Sequence, residues 1–360
     1  MSVFSAEKFQ GNRLAIVSVR GNALSQKRKS LIAREFGYSE TVFLHDAPGP
    51  GRPRLCEIFT ETGEEVPFAG HPIIGTAHYI FTYLEKMAYR GPEDRETGQQ
   101  TAVLQTKAGR IPIFYNIYRQ VAACAVPFQF HVHSNQVSLE KVITVQPHVQ
   151  IVPTIEKVKG RSWPIVSIVK GMSFALVDLT DAPEVLAALQ PGQAPEAELD
   201  REWSPSFVGC LFYKVVGLAE QDGEPTIHNI QARMISHGIE DPGTGSACSA
   251  LSCYLALNPR SSAEPKKSEP VSDDSASADP DSEPVEKVVE KVEAKTKDLK
   301  IEEKTERMVF GIQQGIEMGR ACTIAVEVDV KTDSQGKTSI VNIILSGRGT
   351  VFSSGQLLGA

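Results

Sequence analysis

Glu40 lies between the end of a helical pattern and an apolar run, Thr41-Val42-Phe43-Leu44. Burial there would raise a carboxyl pKa, because desolvation disfavours the charged form. A carboxyl near its working pKa can take a proton from carbon and return it elsewhere. The alternative is a solvated glutamate at a helix–strand junction. Two glycine-rich segments, Phe68-Ala69-Gly70-His71-Pro72 and Glu240-Asp241-Pro242-Gly243-Thr244-Gly245-Ser246, each run into an apolar stretch of helical length. Such a turn presents bare backbone N–H groups and the positive end of a helix dipole to an anion. Facing each other, the two turns would form a carboxylate-binding cleft. Gly70, Gly243, Thr244, Gly245 and Ser246 would supply backbone donors, and Thr244 and Ser246 their hydroxyls as well. The same glycines would also suit tight turns and close helix packing alone. His71 can donate or accept a hydrogen bond at neutral pH. Asp241 either orients His71, holds a substrate amine or caps a helix.

Other chemistries fit less well. Ser246, His71 and Asp241 name the residue types of a hydrolase triad, but no Gly-x-Ser-x-Gly elbow surrounds Ser246. Neither glycine turn is a Gly-x-Gly-x-x-Gly or Walker A loop, so a nucleotide cofactor is not expected. His131-x-His133 has no acidic or cysteine partner at metal-ligand spacing, and no metal is expected. The six cysteines form no Cys-x-x-Cys pair and read as reduced, mostly buried thiols. No basic run with interleaved aromatics suggests nucleic acid, and no apolar stretch reaches membrane-spanning length. The N-terminus lacks the basic head and apolar core of a signal peptide, so a cytoplasmic location is expected.

The 360 residues favour two domains. Leu24 to Phe36 predicts an amphipathic helix opened by Ser25, with Leu24, Leu31, Ile32 and Phe36 on one face. Strands are predicted at Thr41–Leu44, Cys56–Thr60, Ile111–Tyr115, Ile165–Val169, Phe174–Val177, Ile324–Val328 and Ile343–Leu345. The pattern is α+β and strand-rich. From Asn258 to Arg307, Pro, Ser, Asp, Glu and Lys displace nearly all aromatic residues; 14 acidic and 10 basic residues there carry −4 of the net charge of −7. That composition predicts a disordered acidic insert, with a marginal charged helix at Val285–Val292. The insert reads as a solvated linker or as a docking segment for a protein partner.

Several motifs, in order, resemble the successive signatures of PhzF-like proteins: Phe9-x-Gly11-Asn12-x-Leu14-Ala15, Ser39-Glu40-Thr41-x-Phe43, Pro67-Phe68-Ala69-Gly70-His71-Pro72, Glu240-Asp241-Pro242-x-Thr244-Gly245-Ser246-Ala247 and Gln314-Gly315-x-x-Met318-Gly319-Arg320. The resemblance, to the phenazine biosynthesis-like isomerase family, spans nearly the whole chain except the insert. It implies a diaminopimelate-epimerase-like fold, with two similar domains that each curl a β-sheet around a central helix and a cleft between them. Residues 1–118, joined by about 350–360, would form the first half, and residues 119–349 the second, with the 258–307 insert inside it. The resemblance also implies that Glu40 is the acid/base, with His71, Asp241, Gly70 and Ser246 in the substrate cleft. The activity implied is cofactor-independent isomerisation of a small carboxylate-bearing metabolite, by a homodimer. Related epimerases use two opposed cysteines, but Ala69 and Asp241-Pro242 stand in the corresponding turns here, which favours a single carboxylate shuttle. A catalytically idle binding protein that docks a partner through the insert is the rival reading.

Overall fold

The computed structural model describes residues 1–21, 24–49, 51–84, 98–220, 226–259, 305–333 and 335–357. Most of the acidic insert, including the helix expected at 285–292, lies outside them. The expected end of that insert is corrected by three residues, because Thr305–Gln314 is a strand. Its partner is Cys322–Thr332, in antiparallel register from Thr305↔Lys331 to Gln314↔Cys322. Arg307 belongs to this strand despite its charge: its guanidinium meets Asp329 at 2.7 Å and Glu327 at 3.1 Å on the neighbouring strand. Opposite charges across a ladder stabilise the pairing.

Every strand expected from the sequence forms. Others were not foreseen, among them Gln99–Thr106, Val121–Ala125, His131–Ser138, Phe207–Ala219 and Ile227–Ser236. Polar openings such as Gln99-Gln100-Thr101 hide a strand whose burial comes from its neighbours rather than from its own alternation. The result is α+β, and among the described residues it has one 16-stranded sheet and a small 3-stranded one. The large sheet runs from the edge strand His131–Ser138 through Ser162–Val169, Met172–Asp178, Phe207–Ala219 and Ile227–Ser236 to Thr305–Gln314, Cys322–Thr332 and Thr338–Gly347. It continues through Val121–Ala125, Gly109–Asn116, Gln99–Thr106, Arg54–Thr60 and Glu40–His45 to Ala15–Val19.

Two apolar helices fill the sheet's interior. Gly70–Tyr79 is buried at every position except Tyr79, and Gly245–Leu257 at all but Tyr254, Leu255 and Leu257. A helix apolar on every face is stable only inside such a wrapping. Both belong to a single core that also takes in Phe174, Phe310, Val326 and Leu345. Among the described residues, no helix is long and apolar enough to cross a membrane.

The outer helix, Gln26–Phe36, starts where expected: the Ser25 hydroxyl accepts the Arg28 N–H. It stops at Gly37, whose left-handed φ of 58° lets its N–H reach the Ala33 carbonyl. The expected apolar face is partly corrected. Leu24 and Ile32 do pack inward, but Leu31 and Phe36 are exposed, and Lys29 and Ala33 are the buried residues. The helix lies over Phe43 and Phe59, and the short Ala33 permits that approach. Lys29 is buried because its ammonium meets Glu57, which also bonds Gln26 and His45.

Candidate active site

The turn at Gly37 sets the start of strand Glu40–His45, so Glu40 is fixed at a strand end, opposite Thr60. Its carboxylate Oε2 lies 3.5 Å from His71 Nε2, in the first turn of the Gly70–Tyr79 helix. His71 Nε2 is buried and makes no hydrogen bond among the described residues. Burial pushes Glu40 up to about 8, and the nearby Asp241 carboxylate adds to the effect. Burial also lowers His71 to about 3, against a smaller opposing effect from the Arg13 backbone. The two groups therefore face each other largely uncharged at neutral pH, and the histidine lone pair is available to a donor.

Asn12, which lies beside this pair, is tied by hydrogen bonds to the second glycine turn. Asn12 Nδ2 lies 3.4 Å from His71 Nδ1 and donates to Asp241 Oδ1 at 2.7 Å and to the Gly243 carbonyl at 3.0 Å. An amide nitrogen has two hydrogens, and these two bonds use both. Asn12 thus stands between His71 and Asp241, which corrects the reading in which Asp241 orients His71 directly. Asp241 does not cap the helix either. Its Oδ2 accepts the Thr244 hydroxyl at 2.6 Å, and its Oδ1 accepts the Gly243 N–H at 3.4 Å within the turn. Burial raises the Asp241 pKa, and these hydrogen bonds oppose that rise.

Gln314 braces the second turn from below. Its Nε2 donates to the Asp241 carbonyl at 2.7 Å and to Thr244 Oγ1 at 3.0 Å, while its Oε1 accepts the Thr244 N–H at 3.1 Å. Asn12 and Gln314 carried no role in the sequence reading. The available signal is their place inside two of the motifs that resemble PhzF-like proteins, Gly11-Asn12 and Gln314-Gly315.

Among the described residues, neither central helix begins with a side-chain cap. In the second, the first intrahelical bond is from the Cys248 N–H to the Thr244 carbonyl, which leaves the preceding N–H groups of Gly245, Ser246 and Ala247 ahead of the ladder. The two helix starts touch: a methyl group built on Gly70 would lie 3.0 Å from Gly245 Cα and 2.7 Å from Leu345 Cδ2. Gly243 is equally confined, with Cys322 Sγ at 2.7 Å from such a methyl. The structure thus brings together Glu40, Gly70, His71, Asp241, Gly243, Thr244 and Gly245, with Ser246 buried in the same first turn. Gly70→Ala should wedge the two helix starts apart and cost roughly 1–3 kcal/mol, the usual range for overpacking. Urea unfolding of the variant measures that loss.

Two cysteines, Cys248 and Cys322, stand behind this surface. All six cysteines are buried and free. Cys248 Sγ donates to Gln314 Oε1 at 3.5 Å, and burial pushes the Cys248 and Cys322 thiols well above their ordinary range. Neither is poised as a proton-carrying thiolate. One metal-ligand expectation is corrected. His131 and His133 do have an acidic neighbour, Asp200, which lies 67 residues beyond His133 in the chain and is brought beside it by the fold.

The family model for phenazine biosynthesis-like protein, PhzC-PhzF, matches residues 1–269. An uncharacterized isomerase of Pasteurella multocida is 37% identical over 115 residues, which cover 32% of this chain and 35% of that protein. The first curated relatives are thus matched over about a third of their length or less. Trans-2,3-dihydro-3-hydroxyanthranilate isomerase of Pseudomonas aeruginosa is 26% identical over 266 residues, covering 71% of this chain and 78% of that protein. A solved structure described as a predicted epimerase from P. aeruginosa covers 100% of this chain and 98% of its own, with TM-score 0.58 and 18% identity. A PhzF-family phenazine biosynthesis protein from Bacillus anthracis covers 96% and 93%, with TM-score 0.57 and 17% identity. The fold expected from the motifs is the fold observed.

Proposed function

The chain belongs to the PhzC-PhzF family of phenazine biosynthesis-like proteins, and on that premise we propose that it is an isomerase that moves a proton between two carbons of a small carboxylate-bearing metabolite. The observation that carries this reading is Glu40, with its carboxyl raised to about 8, facing the unpartnered His71 Nε2 beside two uncapped helix starts. The substrate carboxylate is held by first-turn N–H groups of the Gly70 and Gly245 helices. Ionised Glu40 takes a proton from a carbon next to an unsaturated system, and the electron pair of that C–H bond shifts into conjugation. Protonated Glu40, once its O–H has exchanged with solvent, delivers a proton to a second carbon, which regenerates its carboxylate and leaves a relocated double bond. Neutral His71 accepts a hydrogen bond from a substrate hydroxyl or amine. Asp241, anchored by Asn12 and Thr244, offers the matching site for an amine.

The relative from P. aeruginosa is named for an isomerisation of trans-2,3-dihydro-3-hydroxyanthranilate, an amine-bearing carboxylate, so this compound is the first to assay. In deuterium oxide, product formed by this chain should carry solvent deuterium at the receiving carbon, read by mass spectrometry. Its kcat/KM should rise with pH and level off above about 8, because the free enzyme must first ionise Glu40. No acidic limb from His71 is expected until its pKa of about 3. A profile flat through neutrality would remove Glu40 as the base.

A further inference from the structure

Away from the cleft, at the edge strand His131–Ser138, the fold gathers two imidazoles and a carboxylate whose ligand atoms all lie within 4.8 Å of one another. His131 and His133 are two apart on a strand, so both project from the same face. Asp200 approaches from the segment that precedes Trp203. Its Oδ2 lies 2.7 Å from His131 Nε2 and 3.7 Å from His133 Nδ1. The cluster is partly open: His133 is buried, and the other two side chains are each about a third exposed.

Each of the three groups is aimed by contacts outside the triad. Asp200 Oδ1 accepts the Ser134 N–H at 3.2 Å and the Ser134 hydroxyl at 2.5 Å, which leaves Oδ2 turned toward the imidazoles. The His131 ring is stacked on Trp203, with centroids 4.5 Å apart and planes 5° from parallel. Lys170 covers the Trp203 ring at 5.6 Å.

His133 is fixed by a chain of serines. Its Nε2 lies 2.9 Å from Ser167 Oγ, Ser167 Oγ lies 2.7 Å from Ser173 Oγ, and Ser173 Oγ lies 2.8 Å from Ser206 Oγ. Ser206 donates its one hydroxyl hydrogen to the Phe207 carbonyl at 2.9 Å. For every contact in the row to hold a hydrogen, Ser173 must donate to Ser206 and Ser167 to Ser173. Ser167 can then only accept from His133 Nε2–H. The proton of neutral His133 therefore sits on Nε2, and its Nδ1 carries the lone pair that points at Asp200. The Asp200 backbone N–H, 3.1 Å away, donates to that same lone pair, which agrees with this assignment.

We propose that His131 Nε2, His133 Nδ1 and Asp200 Oδ2 form a binding site for a late first-row divalent cation, with Zn²⁺ the best match to two nitrogens and one carboxylate oxygen. Three protein ligands with the remaining position left to water is a familiar zinc arrangement. The outer contacts to Ser134, Ser167 and Trp203 are of the kind that orient metal ligands and set their tautomer. Coordination by Nδ1 replaces the bond from the Asp200 amide, and a bound ion clamps the edge strand to the segment that leads into Phe207–Ala219. Nothing in this site takes part in the chemistry proposed for the cleft.

The test uses the full chain, stripped with a chelator and then titrated with Zn²⁺ against a chromogenic competitor. Wild type should bind a single ion per chain and melt at a higher temperature with it. Asp200→Asn and His131→Gln, both at partly exposed positions, should stay folded by circular dichroism and lose about tenfold or more in affinity. X-ray absorption of the wild-type zinc complex should show nitrogen and oxygen neighbours without sulfur. Undiminished affinity in both folded variants, sulfur in the coordination shell or absence of saturable binding would each overturn the site. Sulfur would point to the buried cysteines, and none of these results would bear on the proton chemistry of Glu40.

Discussion

Glu40→Gln should abolish solvent-deuterium incorporation into product and lower kcat by about 10²–10⁴-fold, the usual worth of a positioned acid/base group. The same substitution should make the protein more stable, and increasingly so as the pH rises. Glu40 has a folded pKa of about 8 against an ordinary value of 4.5, so the folded state binds its proton more tightly than the unfolded chain does. Its contribution to stability is fully present below about 4.5 and is lost as the pH climbs to about 8. Glutamine keeps the shape and does not titrate. The melting temperature of the variant should therefore match wild type in acid and exceed it at alkaline pH. A variant that lost activity through misfolding would move the other way, which separates a chemical role from a structural one. Undiminished deuterium exchange in the stabilised variant would reject Glu40 as the shuttle.

That opposition between stability and activity explains why the local sequence around Glu40 was informative. A glutamate placed directly before Thr41-Val42-Phe43-Leu44 conflicts with the burial of those residues, and the conflict is visible without a structure. The glycine turns were legible for a similar reason, since Gly70 and Gly245 precede runs too apolar to be surface helices. Asn12 and Gln314 were not legible as site residues. A neutral amide shows no pattern of its own, and its role depends on groups hundreds of positions away, such as Asp241 from Asn12. Asp200 was missed beside His131 and His133 for the same reason: ligand spacing along a chain finds only partners on one element. The outer helix failed in a different way. Periodicity assigned Leu31 and Phe36 to its inner face, but an ion pair between Lys29 and Glu57 let a charged residue take an inward position.

A second large effect is expected behind the second glycine turn, at a buried ion pair. Arg233 Nε donates to Glu240 Oε1 at 2.8 Å and its Nη2 to Oε2 at 2.7 Å, a two-pronged contact with both side chains almost wholly buried. The same guanidinium donates through Nη1 to the Leu186 carbonyl at 2.9 Å, near the end of the short helix Pro183–Ala188. Arg233→Ala would leave the Glu240 carboxylate buried without its partner and the Leu186 carbonyl without its donor. Removal of one member of such a pair costs about 3–5 kcal/mol, a large share of the ~5–15 kcal/mol that holds a typical domain together. Urea unfolding should show that loss as a lower midpoint with little change in slope. The consequence reaches the cleft, because Glu240 pairs with Ile235 and the next residue, Asp241, pairs with Met234 in the same ladder. A loosened strand would let the Asp241 carboxylate drift from Asn12 and Thr244, so KM should rise more than kcat falls. Arg233→Met combined with Glu240→Leu removes both charges at once and should recover most of the stability, since apolar replacements of a buried pair are often neutral. If the double variant were as unstable as Arg233→Ala, the cost would lie in the lost bond to Leu186 rather than in an unpaired buried charge.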